Sequence, residues 1–234
     1  MANNGFNAAT DIFGFGSKWG VDDSQDNASG SVAECPNSDG DMTHRDPHSQ
    51  RIAPTAKYTL KQDVTSLPAL GTVVTYKTKK VMLTKIVVTT GQGVAPTATA
   101  SGVEVEAGAT TRRTYSCGTI ALSARHKAQD ILGLHGQSTP TTITGSTTTF
   151  EIDPSLADPK GVIEASDCHN GRVTAQFTHT SGTGAAISAP AVTGTAKVVS
   201  EPASNTSPEN DYVTTTYAIL DSLTGSESAP ASAA

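Results

Sequence analysis

The sequence feature that most constrains the fold is a strand-and-turn pattern that occurs twice. Residues 58–106 and 150–199 carry the same order of short β-type segments and Pro- or Gly-containing turns. When the two stretches are aligned, Tyr58 corresponds to Phe150 and Thr90 corresponds to Thr180. This register predicts an internal duplication. A duplicated strand set predicts a pseudo-dimer, in which each copy covers the apolar face of the other or extends its sheet.

The composition predicts a mostly-β protein. Hydrophobic residues make up 36% of the chain and aromatic residues 5%, so Val, Ile, Leu and Ala must form most of the core. Thr, Ser, Gly and Pro favour short strands that are joined by turns. We therefore expect antiparallel sheets, packed as a sandwich built from two pseudo-repeats.

One short helix is expected at about 123–133. Ser123 is a favourable N-cap residue, Ala128 and Ile131 recur at helical spacing, and Gly133 permits the left-handed conformation that ends many helices. With this helix, the predicted organisation has five parts. They are an extended N-terminal arm (1–53), a first β pseudo-repeat with the helix (54–136), a linker (137–146), a second β pseudo-repeat (147–223) and a flexible C-terminal tail (224–234).

The predicted arm combines a polar, Gly- and Asp-rich composition with large apolar side chains near its start. A disordered tail does not need such side chains. We therefore expect the arm to dock either on its own domain or on a neighbouring subunit. The residues expected to make the contact with another subunit are Phe6, Phe13, Phe15 and Trp19.

Charge is distributed unevenly along the chain, whose formal net charge is −6. Residues 54–136 are basic, whereas the segments on both sides are acidic. This arrangement fits nucleic acid on the basic block, self-association of oppositely charged faces, or a solvated surface without a partner. Edge-strand lysines that oppose aggregation would give the same pattern. The candidate contacts to nucleic acid or an acidic partner are Lys77, Lys79, Lys80, Lys85, Arg112 and Arg113.

No catalytic motif is recognisable, and we predict a non-enzymatic protein without a cofactor. Cys35, His44 and His48 have a spacing that could hold zinc, with the Cys168-His169 pair as a source of a fourth ligand. The paired C-x2-C of most structural zinc sites is missing, so no metal site is predicted. The sequence has neither a signal peptide nor a run of about 18 apolar residues, and we expect no membrane association.

The first pseudo-repeat resembles the coat proteins of small RNA phages in the order of its elements. The resemblance rests on a strand that ends in a Pro–Gly turn, the K-V-x-L-T strand (80–84), the T-R-R-x-Y strand start (111–115) and the S-x-R helix start (123–125). In that family the sheet faces the genome and the helices clasp a partner subunit. The long arm, the second copy without a helix and the acidic balance depart from the pattern.

The resemblance implies a phage virion subunit, a capsid protein that self-assembles as a homo-oligomer in the host cytoplasm. Contacts to other virion proteins and to nucleic acid would be consistent with this role. In composition the chain is also similar to tail-tube and head-decoration proteins of tailed phages. The alternative from another class is a carbohydrate-binding or adhesive β-sandwich module, which would require exposed aromatic side chains.

Overall fold

The computed structural model describes residues 10–36, 42–134, 142–155, 168–181, 197–207 and 212–227. These residues form eleven strands and no helix. The strands are β1 (Trp19–Pro36), β2 (Met42–Leu60), β3 (Val73–Tyr76), β4 (Lys79–Gly91), β5 (Val94–Val105), β6 (Arg113–Tyr115), β7 (Thr142–Pro154), β8 (Cys168–Ser181), β9 (Lys197–Ser207), β10 (Tyr212–Ser222) and β11 (Gly225–Glu227). The prediction of a mostly-β, antiparallel protein is confirmed.

Nine strands form one antiparallel sheet with the order β1-β2-β5-β4-β7-β8-β10-β9, in which β3 also pairs with β4. Along β4, the first residues pair with β3 and the residues from Lys85 onward pair with β7. β4 therefore joins the strands of the first half of the chain to those of the second half. The remaining two strands, β6 and β11, form a small separate sheet.

The large sheet has one buried face and one exposed face. Ile86 of β4 is paired with Ala100 of β5 on one side and with Phe150 of β7 on the other, and all three are buried. The alternate positions are half-buried or exposed, and the exposed ones include Thr89 and Thr99. This alternation follows from the pleat of a strand, which directs successive side chains to opposite faces.

An irregular layer covers the buried face. Within this layer Val64 bridges to Leu122, and Leu70 bridges to Tyr115. All four of these side chains are buried in the main core cluster. The sheet and this layer together form the two packed layers of a sandwich.

The expected helix at 123–133 is not present, because these residues form bends and turns. The side chain of Gln129 forms hydrogen bonds with both the backbone N–H and the backbone carbonyl of Ser123. The N–H of Ser123 donates to Oε1 of Gln129, and Nε2 of Gln129 donates to the carbonyl oxygen of Ser123, each at 2.8 Å. A helix would need that carbonyl for its own ladder. The N–H of Gln129 in turn donates to the hydroxyl of Thr90 on β4 at 2.8 Å, which holds the segment against the sheet.

The two predicted pseudo-repeats differ in how their strands pair. The alignment of Tyr58 with Phe150 makes β7 the counterpart of β2, and the alignment of Thr90 with Thr180 makes β8 the counterpart of β4. However, β5 lies between β2 and β4, whereas β7 and β8 are direct neighbours. The second half extends the sheet of the first, but the described strands do not follow the same path in both halves.

Two predicted boundaries fall inside strands, and a third predicted segment contains a strand. The boundary at 53/54 lies within β2, and the second half of the predicted linker belongs to β7, which begins at Thr142. Part of the predicted flexible tail is the strand β11, which pairs with β6. Strand pairing over long sequence separations sets these boundaries, and local composition does not reveal it.

Candidate assembly interface

The segment predicted as an arm is mostly a β-hairpin. β1 and β2 pair from Trp19↔Leu60 out to Pro36↔Met42. The structure shows β2 paired with β5 only from Thr55 to Thr59. Beyond the pair Asn27↔Ala53, the hairpin therefore continues as a two-stranded ribbon, which we call the distal ribbon (28–36 and 42–52). Its strands extend about 30 Å past the sheet, at roughly 3.3 Å per residue.

Two polar contacts fix the base of the distal ribbon. Lys77, in the turn between β3 and β4, forms an ion pair with Asp26 of β1. The side-chain hydrogen bond from Lys77 lowers the pKa of Asp26 below its usual value. Nearby, Oε2 of Glu104 accepts hydrogen bonds from the N–H of Ile52 and from Nζ of Lys79, each at 2.8 Å. The end of the β3–β4 hairpin is thus tied to both strands where the ribbon leaves the sheet.

The aromatic residues predicted to contact another subunit lie in the core of their own chain. Phe13, Phe15 and Trp19 are 3%, 9% and 4% exposed. Phe15 stacks on Tyr58 with a centroid distance of 4.1 Å, and Trp19 meets Phe15 edge-on at 5.3 Å. Of the two docking alternatives, the described residues show docking on the chain's own domain. Phe6 lies outside the described residues.

The candidate nucleic-acid contacts do not form a free cationic surface. Lys77 pairs with Asp26, Lys79 with Glu104, Lys85 with Glu151 at 3.4 Å, and Arg113 with Glu227. Because an acidic side chain opposes each of these four cations, their attraction for phosphate is reduced.

The other two candidates lie apart from these ion pairs. Nζ of Lys80 donates to the hydroxyl of Thr75 at 2.8 Å, and Arg112 is exposed. Two cations neutralise fewer phosphates than the several that a typical nucleic-acid-binding protein contacts.

The residues considered for zinc lie partly on the distal ribbon. Cys35 of β1 is paired with His44 of β2. His48 is four residues further along the same strand, so its Cα lies about 13 Å from that of His44. That separation does not suit two ligands of one tetrahedral zinc ion. Among the described residues, no group of three or more His, Cys, Asp or Glu side chains is arranged to hold a metal ion.

A groove of about 370 Å³ lies where β8, β9 and β10 meet. Its charged side chains are Arg172, Lys197 and Asp221. Arg172 is also engaged by Glu151 at 2.8 Å and by Asp153 at 3.1 Å. With charges of both signs, the groove does not define a ligand class.

Both edges of the large sheet are long. β1 and β9 end the strand order and contain 18 and 11 residues. Each has one described neighbour, β2 and β10 respectively. The outward backbone groups of an edge strand can pair with another chain. Together with the distal ribbon, these edges are the surfaces best suited to contact between molecules.

No protein-family model matches the chain, and no curated protein matches it at a significant level. Within the residues that the structure describes, no helix has the length and apolar character that a bilayer crossing requires.

The sequence predicts an extended arm at 1–53 but does not predict its hairpin form. A signal was present, because Asp39-Gly40 is a strong hairpin-turn dipeptide. Both residues lie outside the described part of the chain. The flanking segments lack hydrophobic alternation, and for this reason they do not resemble strands.

Proposed function

We propose that this chain is a non-enzymatic structural subunit of a bacteriophage-type virus particle, most simply a capsid protein, which assembles with copies of itself in the host cytoplasm. The observation that carries the proposal is the distal ribbon. An isolated two-stranded hairpin is marginal in water, and it gains stability when a third strand or another surface packs against it. A neighbouring copy of the chain would supply that contact.

The way in which the ribbon is held also supports a role in assembly. Asp26–Lys77 and Ile52–Glu104 fix its base on both strands. Because its direction is already fixed, the distal ribbon loses less conformational entropy on binding a neighbouring molecule than a flexible tail would. A ribbon held in this way would also suit a tail-tube or head-decoration subunit of a tailed phage, which is the first alternative.

The carbohydrate-binding alternative requires exposed aromatic rings on which sugars can stack. Of the aromatic side chains that the structure describes, Tyr76 is half-buried and the other seven are buried. Lys77 also lies over the Tyr76 ring, with its Nζ 5.2 Å from the centroid. This observation favours self-assembly over sugar binding.

Excision of the distal ribbon tests the proposal. Asn27 and Ala53 are register partners, so an Asn-Gly turn can join them and close a shorter hairpin. The pairing of β2 with β5 begins at Thr55 and is left intact. The full chain is expected to form large particles in sedimentation velocity and electron microscopy. The excised chain is expected to stay small while it keeps its cooperative thermal unfolding.

Val94→Ser provides the matched control, because Val94 is 60% exposed on a different hairpin. It is expected to assemble like the wild type. The proposal is overturned if the full chain remains a monomer, or if the excised chain assembles as well as the full chain does.

A further inference from the structure

The two edge strands of the large sheet differ in charge. β1 carries four acidic residues and no basic residue, and β9 carries one of each, Lys197 and Glu201. Two of the acidic residues of β1, Asp22 and Asp23, are exposed, and they lie in the part of the strand that precedes the distal ribbon. Within the described residues, neither strand has a neighbour on its outer side.

We propose that copies of this chain join head to tail, with the outer edge of β1 in one copy pairing by main-chain hydrogen bonds with the outer edge of β9 in the next. This inference rests on the proposed self-assembly and specifies the surface that performs it. The occupant of each edge is thus a second copy of the same chain.

Backbone chemistry makes both edges competent for strand addition. Proline removes the N–H donor that a ladder needs. β1 contains no proline from Trp19 through Cys35, and β9 contains only Pro202. Most backbone donors of both edges are therefore intact.

Charge selects between the possible pairings. A contact between two β1 strands would place acidic residues opposite acidic residues, which destabilises a strand pair. Asp26 is already paired with Lys77, and Asp23 lies opposite Lys57 in the register of β1 and β2, whereas Asp22 accepts a hydrogen bond from the uncharged Thr59. The near-neutral β9, which begins with the exposed Lys197, avoids this repulsion.

A β1–β9 contact uses two different surfaces and is therefore heterologous. Heterologous contacts close into rings when the rotation between copies permits, and they otherwise grow into helical filaments. The contact predicts cyclic or tubular assembly in place of a two-fold dimer. Among the proposed virion roles, a subunit of a tube or of a ring would be joined to its neighbours by this heterologous contact.

Proline substitutions can block one edge at a time. Neighbouring residues of a strand direct their N–H groups to opposite edges, so in each adjacent pair one N–H points outward. The pairs are Ser24→Pro and Gln25→Pro in β1, and Ser204→Pro and Asn205→Pro in β9, all within regular register. The substitution that removes the inward N–H breaks a hydrogen bond of the sheet, so that variant should be less stable than the wild type. The variant with wild-type stability has lost only the outward N–H. The other variant is its matched control.

Mixing the two edge-blocked variants gives the decisive result. Each variant alone is expected to remain monomeric in sedimentation velocity. A mixture is expected to form a discrete heterodimer that does not grow, because only one β1 edge and one β9 edge remain functional. Growth of either variant alone to the size of the wild-type assembly, or a homodimer of either, would overturn the head-to-tail contact.

Hydrogen exchange of the wild-type chain provides a test that does not depend on any variant. Assembly is expected to slow amide exchange in both β1 and β9 by at least tenfold relative to the dilute chain. Unchanged exchange in either strand would overturn the inference but leave the proposed self-assembly standing. Failure of the wild-type chain to assemble at all would overturn both.

Discussion

The hydroxyl of Tyr58 donates a hydrogen bond to Oδ1 of Asp11 at 3.0 Å. The same carboxylate accepts hydrogen bonds from the backbone N–H groups of Gly14, Phe15 and Gly16. Gly14 and Gly16 have φ angles of 73° and 79°, which glycine adopts without strain. Asp11 therefore fixes the tight loop that places Phe13 and Phe15 in the core.

This contact predicts a loss of stability at alkaline pH. Burial, with the nearby negative charge of Asp11, raises the pKa of Tyr58 in the folded state. In the unfolded chain the phenol loses its proton near pH 10. Above that pH the unfolded state binds fewer protons than the folded state, so the free energy of unfolding falls as pH rises.

Tyr58→Phe is the variant that isolates this effect. Loss of the hydrogen bond is expected to cost about 1–2 kcal/mol at neutral pH. The decrease in stability between about pH 9 and pH 11 should also become shallower than in the wild type. Urea unfolding across this range measures both quantities. An identical pH dependence in the two proteins would show that Tyr58 does not carry the effect.

The N-terminal segment is expected to be needed for folding. Phe15→Ala should lower the free energy of unfolding by about 3–4 kcal/mol, the usual cost of truncating a buried Phe. Ser17→Ala is the control, because Ser17 is exposed in the same segment. Both are compared by urea denaturation. Equal stability of the two variants would mean that the segment does not pack on the core in solution.

The sheet could be predicted from sequence, but the contacts that shape its surface could not. β4, β5 and the second half of β7 carry apolar or β-branched residues at most positions, as strands do. The acidic partners of Lys79 and Lys85 are Glu104 and Glu151, which are distant along the chain. A local pattern shows the basic block but not the carboxylates that neutralise it.

The helix predicted at 123–133 is absent, and hydrogen bonds of one side chain, that of Gln129, account for its absence. Residues 123–133 carry apolar side chains at helical spacing, and their helix propensities do not predict that the helix is absent. A side-chain amide can compete with the helix ladder for backbone groups. Gln129 does so at Ser123, and its own backbone is bonded to Thr90 and Ser146 of the sheet. Tertiary contact thus overrides propensity.

Gln129→Ala is expected to lower stability by about 2 kcal/mol, because it removes the partners of both backbone groups of Ser123. Gln62→Ala is the control, since Gln62 is exposed in a loop. Chemical denaturation compares the two variants. A gain of helical circular dichroism in Gln129→Ala would show that Gln129 also prevents the helix. A stability equal to that of the control would contradict the assigned role.

The neutralised basic block predicts weak binding of nucleic acid. Fluorescence anisotropy with a single-stranded oligonucleotide is expected to show little binding by the wild type at physiological salt. Replacing both acidic partners (Glu104→Gln with Glu151→Gln) frees Lys79 and Lys85, and it should strengthen binding in a salt-dependent manner. Strong, salt-sensitive binding by the wild type would instead support a genome contact.

Gly171 and Tyr115 test the packing between β8 and the covering layer. A methyl group at buried Gly171 would overlap the Tyr115 ring. Backbone hydrogen bonds of 2.9 and 3.0 Å to Leu70 hold the main chain of Tyr115, and its ring also lies against Gly225, which limits its room to move away. Gly171→Ala is expected to lower the free energy of unfolding by about 1–3 kcal/mol, the usual range for overpacking.

Gly108→Ala is the control and should be neutral, because no atom lies within 4 Å of its new methyl group. If the clash is the cause, Gly171→Ala will cost less in a Tyr115→Ala background, whereas an equal cost in both backgrounds would assign the effect to the strand backbone.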